Sequence, residues 1–318
     1  MNPDPSTKHQ AAGAETARPV LYGLPSGELI DIPDNALQVS PLIPGSARLE
    51  DHRPAAARGP AIVLAPPGTA ERRYALALAL RALAPGETLV ALAPKDKGGS
   101  RLAKELAGFG CGVSEEARRH HRICTVSRPD SLDGLHDAIE EGRSRHIDNI
   151  GLCTQPGIFS WNRIDPGSDL LLRHLPKFSG QGADFGCGLG VLARAVLHSE
   201  TVSSLTMIDI DRRAVEMARR NVEDPRASIV WADLRQREPA LARLDFVVMN
   251  PPFHDGGAED QALGKAFIAR AAEALRPGGT LWITANAHLP YEAPLRAALR
   301  SVTPIASEGG YKVYEARK

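Results

Sequence analysis

The sequence predicts an α/β fold: a doubly wound, mostly parallel sheet in the second half, preceded by a smaller, degenerate copy of the same fold. Three observations carry this. Apolar, strand-like runs alternate with helix-like stretches from residue 150 to the end; the first half holds a strand–helix–strand unit; and two elements of that unit recur in the same order in the second half.

In chain order, residues 1–19 lack periodicity and large apolar side chains and are expected to form a disordered tail. Nine of the 25 prolines fall in the first 60 residues, which argues against a regular sheet core there. "PAIVLAP" (60–66) then reads as a strand, Ala70 to Leu83 as a helix and "TLVALAP" (88–94) as a second, parallel strand. These belong to a predicted N-terminal domain over residues 20–149. In the predicted second domain, 150–318, "ADFG" (183–186) ends a strand and Val191 to His198 is helical. "SLTMID" (204–209) is a strand, and Asp211 can cap a helix running to about Val222. The continuous apolar run "LDFVVMN" (244–250) has the character of a central parallel strand buried on both faces. A helix around Ala262–Leu275 and the strand "TLWITAN" (280–286) follow, and the alternating "YKVYEAR" (311–317) reads as an edge strand.

The repeat is specific. "AIVLAPP" (61–67) and "FVVMNPP" (246–252) both end in Pro-Pro, and "LAPGETLV" (83–90) and "LRPGGTLW" (275–282) follow them at intervals that differ by seven residues. The copies differ where chemistry would sit: Ala65 stands opposite Asn250 and Gly68 opposite Phe253. The order and the pairing of the two elements point to a duplication.

Composition narrows the function. With 38 basic and 38 acidic residues the net charge is zero, so any nucleic-acid surface must be local rather than chain-wide. Four cysteines without a CxxC pair indicate neither a zinc ribbon nor a disulfide framework, and no metal site is expected. The longest apolar stretch, Tyr74 to Leu80, is far too short to span a bilayer, and the first residues are polar where a signal peptide would be apolar. A soluble, cytoplasmic protein is expected.

Two motifs carry chemistry. "DFGCGLG", Asp184 to Gly190, sits at a strand-to-helix junction, where glycines let the backbone approach a ligand and the helix start offers free N–H groups. Val191 stands where a dinucleotide fingerprint would place its third glycine, and no Gly-Lys-Ser/Thr is present, so neither a nicotinamide site nor a P-loop fits well. Asp209, at the end of the next strand, can accept from two ribose hydroxyls. Asp233 can accept from an adenine amino group, or be an ordinary loop acid. In "NPPF", Asn250 to Phe253, the Asn250 amide oxygen and the Pro251 carbonyl can fix both hydrogens of one planar –NH2 group. Phe253 would give that group's ring a surface to stack on.

From these residues the chain resembles the class I S-adenosylmethionine-dependent methyltransferases, which are Rossmann-like. "PGIFSWNRIDPGSDLLL" (156–172), "NPPFHDG" (250–256), "ANAHLPYE" (285–292) and "YKVY" narrow the likeness to the bacterial ribosomal RNA guanine-N2 methyltransferases of the RsmC/RlmG type. Those enzymes pair an active C-terminal domain with a degenerate N-terminal copy, and the resemblance covers residues from about 60 to 318. It implies that S-adenosylmethionine is the cofactor. Asp184, Gly186, Cys187, Gly188 and Gly190 would hold its methionine portion, Asp209 its ribose and Asp233 its adenine edge, with Asn250 between cofactor and target. Asn250, Pro251 and Phe253 would hold a guanine of ribosomal RNA, the small subunit being favoured. For Phe159, covering the cofactor and packing in the core stand as equal readings, while His254 and Asp255 receive no catalytic role.

The N-terminal copy has only 64 residues ahead of Ala65 and no glycine-rich loop among them, so substrate recognition is its remaining task. "RRHHR" (118–122) and the set Arg212, Arg213, Arg219 and Arg220 read either as phosphate contacts or as solvated faces. A monomer whose domains form an internal pseudo-dimer, acting on ribosomal RNA or a ribosomal subunit, is expected. Adenine N6 and a protein glutamine amide offer the same planar –NH2. A non-catalytic RNA-binding or assembly factor and, more remotely, a nicotinamide-dependent oxidoreductase complete the alternatives.

Overall fold

The computed structural model describes residues 18–53, 59–236, 241–252, 254–255, 258–259 and 261–318, with only the backbone at 254–255, 258–259 and 261. Nearly all of the expected tail, and Phe253, lie outside the described residues. The first half contains β1 (Val20–Tyr22), β2 (Leu37–Gln38), β3 (Ala61–Leu64), α1 (Thr69–Ala82), β4 (Thr88–Pro94), α2 (Leu102–Gly108), β5 (Val113–Arg118), β6 (His121–Ser127) and α3 (Leu135–Gly142). A small antiparallel ribbon, β7 (Arg145–Ile147) and β8 (Leu152–Thr154), follows. The second half contains α4 (Pro166–His174), β9 (Gly180–Phe185), α5 (Val191–Leu197), β10 (Val202–Asp209), α6 (Arg212–Asn221), β11 (Ala227–Trp231) and β12 (Leu244–Met249). It continues through the ribbon β13 (His254–Asp255) and β14 (Ala258–Glu259), α7 (Gln261–Ala274), β15 (Leu275–Asn286), α8 (Glu292–Ala298), β16 (Ser301–Glu308) and β17 (Tyr311–Arg317).

The first sheet runs β2-β1-β3-β4-β6-β5 and the second β11-β10-β9-β12-β15-β17-β16. In both, the leading strands are parallel and the last two are antiparallel additions. The first sheet is the second with one outer strand missing. The connecting helices agree too: α1 and α7 both join the Pro-Pro strand to its parallel neighbour, and α2 and α8 both precede the antiparallel pair. Among the described residues of the first half, only a single 3-10 turn at Leu49–Asp51 stands between the first strands, where the second half has the α-helices α5 and α6.

Two expectations need correction. The proline-rich start does contribute to a sheet, because β1 and β2 are short enough, three and two residues, to lie between prolines. The strand 311–317 is interior: β17 pairs with β15 on one side and with β16 on the other, and β16, mostly exposed, is the edge. Alternation reports which face of a strand is buried, not whether both of its edges are paired.

Asp211 caps α6 as expected, its carboxylate accepting from the Arg213 N–H at 2.9 Å. The first turn of α6 thereby points into the first half of the chain. The Arg212 N–H donates to Pro41 O at 2.9 Å, and its guanidinium to Ala47 O at 2.9 Å, while lying over Trp231 at 5.3 Å. Arg213 is buried between Glu71 of α1, at 2.7 Å, and Asp211, at 2.8 Å. Burial works against its charge, but those two carboxylates hold the guanidinium firmly ionised. Arg48 also pairs with Glu216 across the halves. Arg212 and Arg213 are therefore neither a solvated face nor a phosphate-binding one; only Arg219 and Arg220 of that set are exposed.

The other basic cluster is a tight hairpin. Arg119 and His120 have positive φ, 46° and 62°, as a two-residue connection between twisted strands requires. Arg118 pairs with Glu116, Arg119 with Glu28 and Arg122 with Glu115, so acidic partners offset the arginines of "RRHHR". Among the described residues no helix is long and apolar enough to cross a membrane.

Candidate active site

In an open parallel sheet, ligands bind beyond the carboxyl ends of the strands where the chain order reverses. Here that point lies between β9 and β12: from β9 the chain winds outward through β10 and β11, then returns to β12 on the other side. The register brings the predicted residues to one level. Phe185 pairs with Ile208 on one side and Met249 on the other, so Gly186, Asp209 and Asn250 leave three adjacent strands together.

The glycine loop begins at Gly186. Gly186, Gly188 and Gly190 all have positive φ, 73°, 52° and 82°. At Gly190 a Cβ would lie 2.7 Å from Val222 Cγ2, so that glycine lets loop and helix pack. A Cβ at Gly188 would meet nothing within 4 Å, so the middle of the loop has open space beside it. The Cys187 side chain is buried in the apolar cluster with Leu170, Leu192 and Met207, leaving only its backbone for a ligand. Burial pushes its thiol well above the ordinary range, consistent with an inert packing role.

Two carboxyl groups stand behind the loop. Asp209 accepts from the Gly188 N–H and the Asp211 N–H, each at 2.8 Å, which ties the loop to the start of α6. Burial pushes it up to about 6 against the pull of these N–H groups. Asp184 is fully buried on β9, and neither of its oxygens makes a hydrogen bond; the Ala193 N–H faces it without completing one. Burial, with the neighbouring Asp209 charge, pushes Asp184 up to about 8. Two carboxyls held above their ordinary range behind the glycine loop, one of them without a hydrogen-bond partner, favour a cationic ligand beside that loop. Asp233 lies further along, one strand out, in a turn closed by Arg235, whose Nε is 2.9 Å from its carboxylate. Although burial opposes it, that pairing holds Asp233 below the usual carboxylate range.

Asn250 is held from the opposite side. Its Nδ2 donates to Asp165 Oδ2 and to Ser168 Oγ, both at 2.8 Å. Asp165 is the N-cap of α4, accepting from the Ser168 N–H at 2.9 Å, and Leu170 and Leu171 anchor that helix in the core under the sheet. Sequence reasoning passed over both residues. The signal was present: Asp-Pro with Ser two residues beyond the proline reads as a helix start. Phe159 is 59% exposed, which removes core packing from its two readings. Its neighbour Ile158 shares an apolar cluster with Leu189, so this segment borders the glycine loop.

The corresponding place in the first half is filled by the protein itself. Arg72, 1% exposed, sends Nη1 to Pro67 O at 2.7 Å and to Pro66 O at 3.3 Å, and pairs with Glu105 at 2.7 Å. A guanidinium thus occupies the carbonyls that follow Ala65, where the second half presents Asn250 and Pro251.

Residues 149–315 match the family model described as "Methyltransferase small domain". The ribosomal RNA small subunit methyltransferase C of Pseudomonas aeruginosa (strain LESB58) is 31% identical over 315 residues, covering 94% of this chain and 94% of that protein. The protein of the same name from Shewanella oneidensis is 34% identical over 248 residues, covering 76% of this chain and 72% of its own. Among solved structures, the T. thermophilus 16S rRNA N2 methyltransferase RsmC, in complex with AdoMet and guanosine, is similar with a TM-score of 0.70. Its sequence identity is 27%, over 86% of this chain and 76% of that one.

Proposed function

This chain belongs to the methyltransferase small-domain family, alongside the ribosomal RNA small subunit methyltransferase C proteins, and from that premise we propose that it methylates the exocyclic N2 of a guanine in small-subunit ribosomal RNA, using S-adenosylmethionine. The observation that carries the reading is the Asn250 amide. Both of its N–H bonds are spent on Asp165 and Ser168, so its carbonyl oxygen is the end left to accept from a substrate amine.

The residues present fit this cofactor. The orphaned Asp184 carboxyl and the open loop at Gly188 would take the methionine portion, Asp209 the ribose and Asp233 the adenine edge. When bound, S-adenosylmethionine supplies a methyl group on a positively charged sulfur, an electrophile with a good leaving group. The chain's own task is placement. Asn250 Oδ1 and Pro251 O accept the two hydrogens of the guanine amine and aim its nitrogen lone pair at the methyl carbon. The methylated nitrogen loses its proton readily to water, so no strong base is needed, and the rate comes from orientation and desolvation. The target base must leave its stack to reach a crevice at the end of a sheet. The first half, with its own pocket filled by Arg72 and no glycine loop, is left to recognise the RNA. The chain acts as a monomer in the cytoplasm, its two halves already joined through the buried Arg213 cluster.

A pH dependence follows from the two raised carboxyls. Their folded values, about 8 for Asp184 and about 6 for Asp209, lie above the ordinary 3.8. In the ligand-free protein their contribution to stability is therefore fully present below about pH 4 and is lost as pH rises through about 6 and then about 8. A cationic cofactor favours the ionised forms, so binding should release protons. Its affinity should climb by up to about tenfold per pH unit between roughly pH 6 and 7.5. Calorimetric titration near pH 7, in two buffers of different ionisation enthalpy, checks this; proton uptake would contradict it.

The function itself is tested by offering labelled S-adenosylmethionine with undermodified small subunits, large subunits, free ribosomal RNA and release factor in parallel. Label in small-subunit RNA is the expected result. Label in protein would move the activity to a glutamine amide, and cofactor binding without transfer to any of them would remove the substrate assignment.

A further inference from the structure

We propose that Asp165 and Ser168 are positioning residues that set and polarise the Asn250 amide for methyl transfer; the inference deepens the function proposed above and rests on it. An asparagine side chain has two nearly isosteric ends, one donor and one acceptor, and only the acceptor end can hold a substrate –NH2 group. Unrestrained, the amide would spend part of its time presenting Nδ2 to the guanine, donor against donor. A carboxylate accepts and never donates, so Asp165 Oδ2 at 2.8 Å fixes which end faces α4. Ser168 Oγ, also at 2.8 Å, takes the second Nδ2 hydrogen. Among the described residues no hydrogen bond reaches Asn250 Oδ1, so the pair spends the donor end and leaves the acceptor end for substrate. A negative charge on the N–H side also draws density toward Oδ1, which strengthens it as an acceptor.

The positioning is carried by a rigid element. Asp165 Oδ2 is the same atom that accepts the Ser168 N–H at 2.9 Å and caps α4. Leu170 and Leu171, one turn on, are 1% and 0% exposed in the cluster that includes Val248 of β12 and Trp282 of β15. The helix that holds the restraint is thus packed on the strand that holds Asn250. A Cβ at Gly167 would lie 2.6 Å from Tyr311 Cδ1 and 3.0 Å from Asp165 Oδ2, so this helix start meets β17 as closely as a glycine permits. Every part of the arrangement fixes the distance from Asp165 to Asn250.

Capping and positioning are separable by substitution. Asp165→Ser keeps a good N-cap but is too short to reach Asn250. Asp165→Asn keeps an oxygen that can serve both bonds. The expected result for Asp165→Ser is a fall in kcat of about tenfold or more, with KM for the small subunit, affinity for S-adenosylhomocysteine and Tm near wild type. Asp165→Asn should stay within about threefold of wild type, losing only the polarisation. A readout independent of turnover is the pair of Asn250 side-chain amide proton signals. In the wild type they should be widely split and slow to exchange, and in Asp165→Ser they should collapse toward values for a free amide. Wild-type kcat in Asp165→Ser, or unchanged amide signals, would overturn the proposal. So would a kcat loss matched by losses in Tm and cofactor affinity, which would make Asp165 only a cap. If wild type labels no guanine while the signals collapse as expected, the substrate reading fails and the restraint on Asn250 stands.

Discussion

Arg213→Ala is expected to destabilise the protein by about 3–5 kcal/mol, the cost of leaving buried carboxylates without their partner. The guanidinium is 6% exposed and bridges Asp211 and Glu71, each 11% exposed, so neither acid can turn to water when the cation is removed. The effect should reach the cofactor site. Asp211 donates its N–H to Asp209, and Asp209 holds the Gly188 N–H, so the chain of bonds runs from α1 in the first half to the glycine loop in the second. Urea melts should show the midpoint falling, and the loss should shrink when Glu71→Gln is added, because that removes one of the stranded charges. A stability within about 0.5 kcal/mol of wild type would mean that the halves do not depend on this cluster.

Asn250→Ala is expected to cost about 1–3 kcal/mol in the methyl-transfer step, the loss of a half-buried amide acceptor. That is roughly one to two decades in kcat. Cofactor affinity should fall far less, because Asp184 and Asp209 stand on β9 and β10 and the glycine loop follows β9, so the contacts assigned to them remain when the Asn250 side chain is cut back. Single-turnover transfer beside a cofactor titration separates the two quantities. Near-wild-type transfer would show that another group holds the amine.

What could be read from the sequence was what local pattern or spacing encodes. The Pro-Pro repeat forecast two sheets of one plan, and the strand orders agree with it. "DFGCGLG", Asp209 and "NPP" were placed at strand ends by their flanking apolar runs, and pairing across β10, β9 and β12 brings them to one level. Asp211 declared itself as a cap because capping is a local act. What escaped were pairings between distant segments. Arg213 looks like any surface arginine until Glu71, 142 residues earlier, is packed against it. Asp165 lies 85 residues from Asn250, and a motif read one strand at a time does not join them. The edge position of β16 escaped for a related reason. Its pairing with β17 is set by a turn whose two glycines, Gly309 and Gly310, both have positive φ, and not by any apolar run. Arg72 was invisible in the same way, since filling a pocket leaves no periodic trace.

The central claim is that this chain places the N2 amine of a guanine against Asn250. The most direct test is to digest labelled small-subunit RNA to nucleosides and identify the one that carries the methyl group. Label recovered as N2-methylguanosine, and strongly reduced with Asn250→Ala, is the predicted result. Label recovered as N6-methyladenosine, or N2-methylguanosine formed at an unchanged rate by Asn250→Ala, would contradict the account.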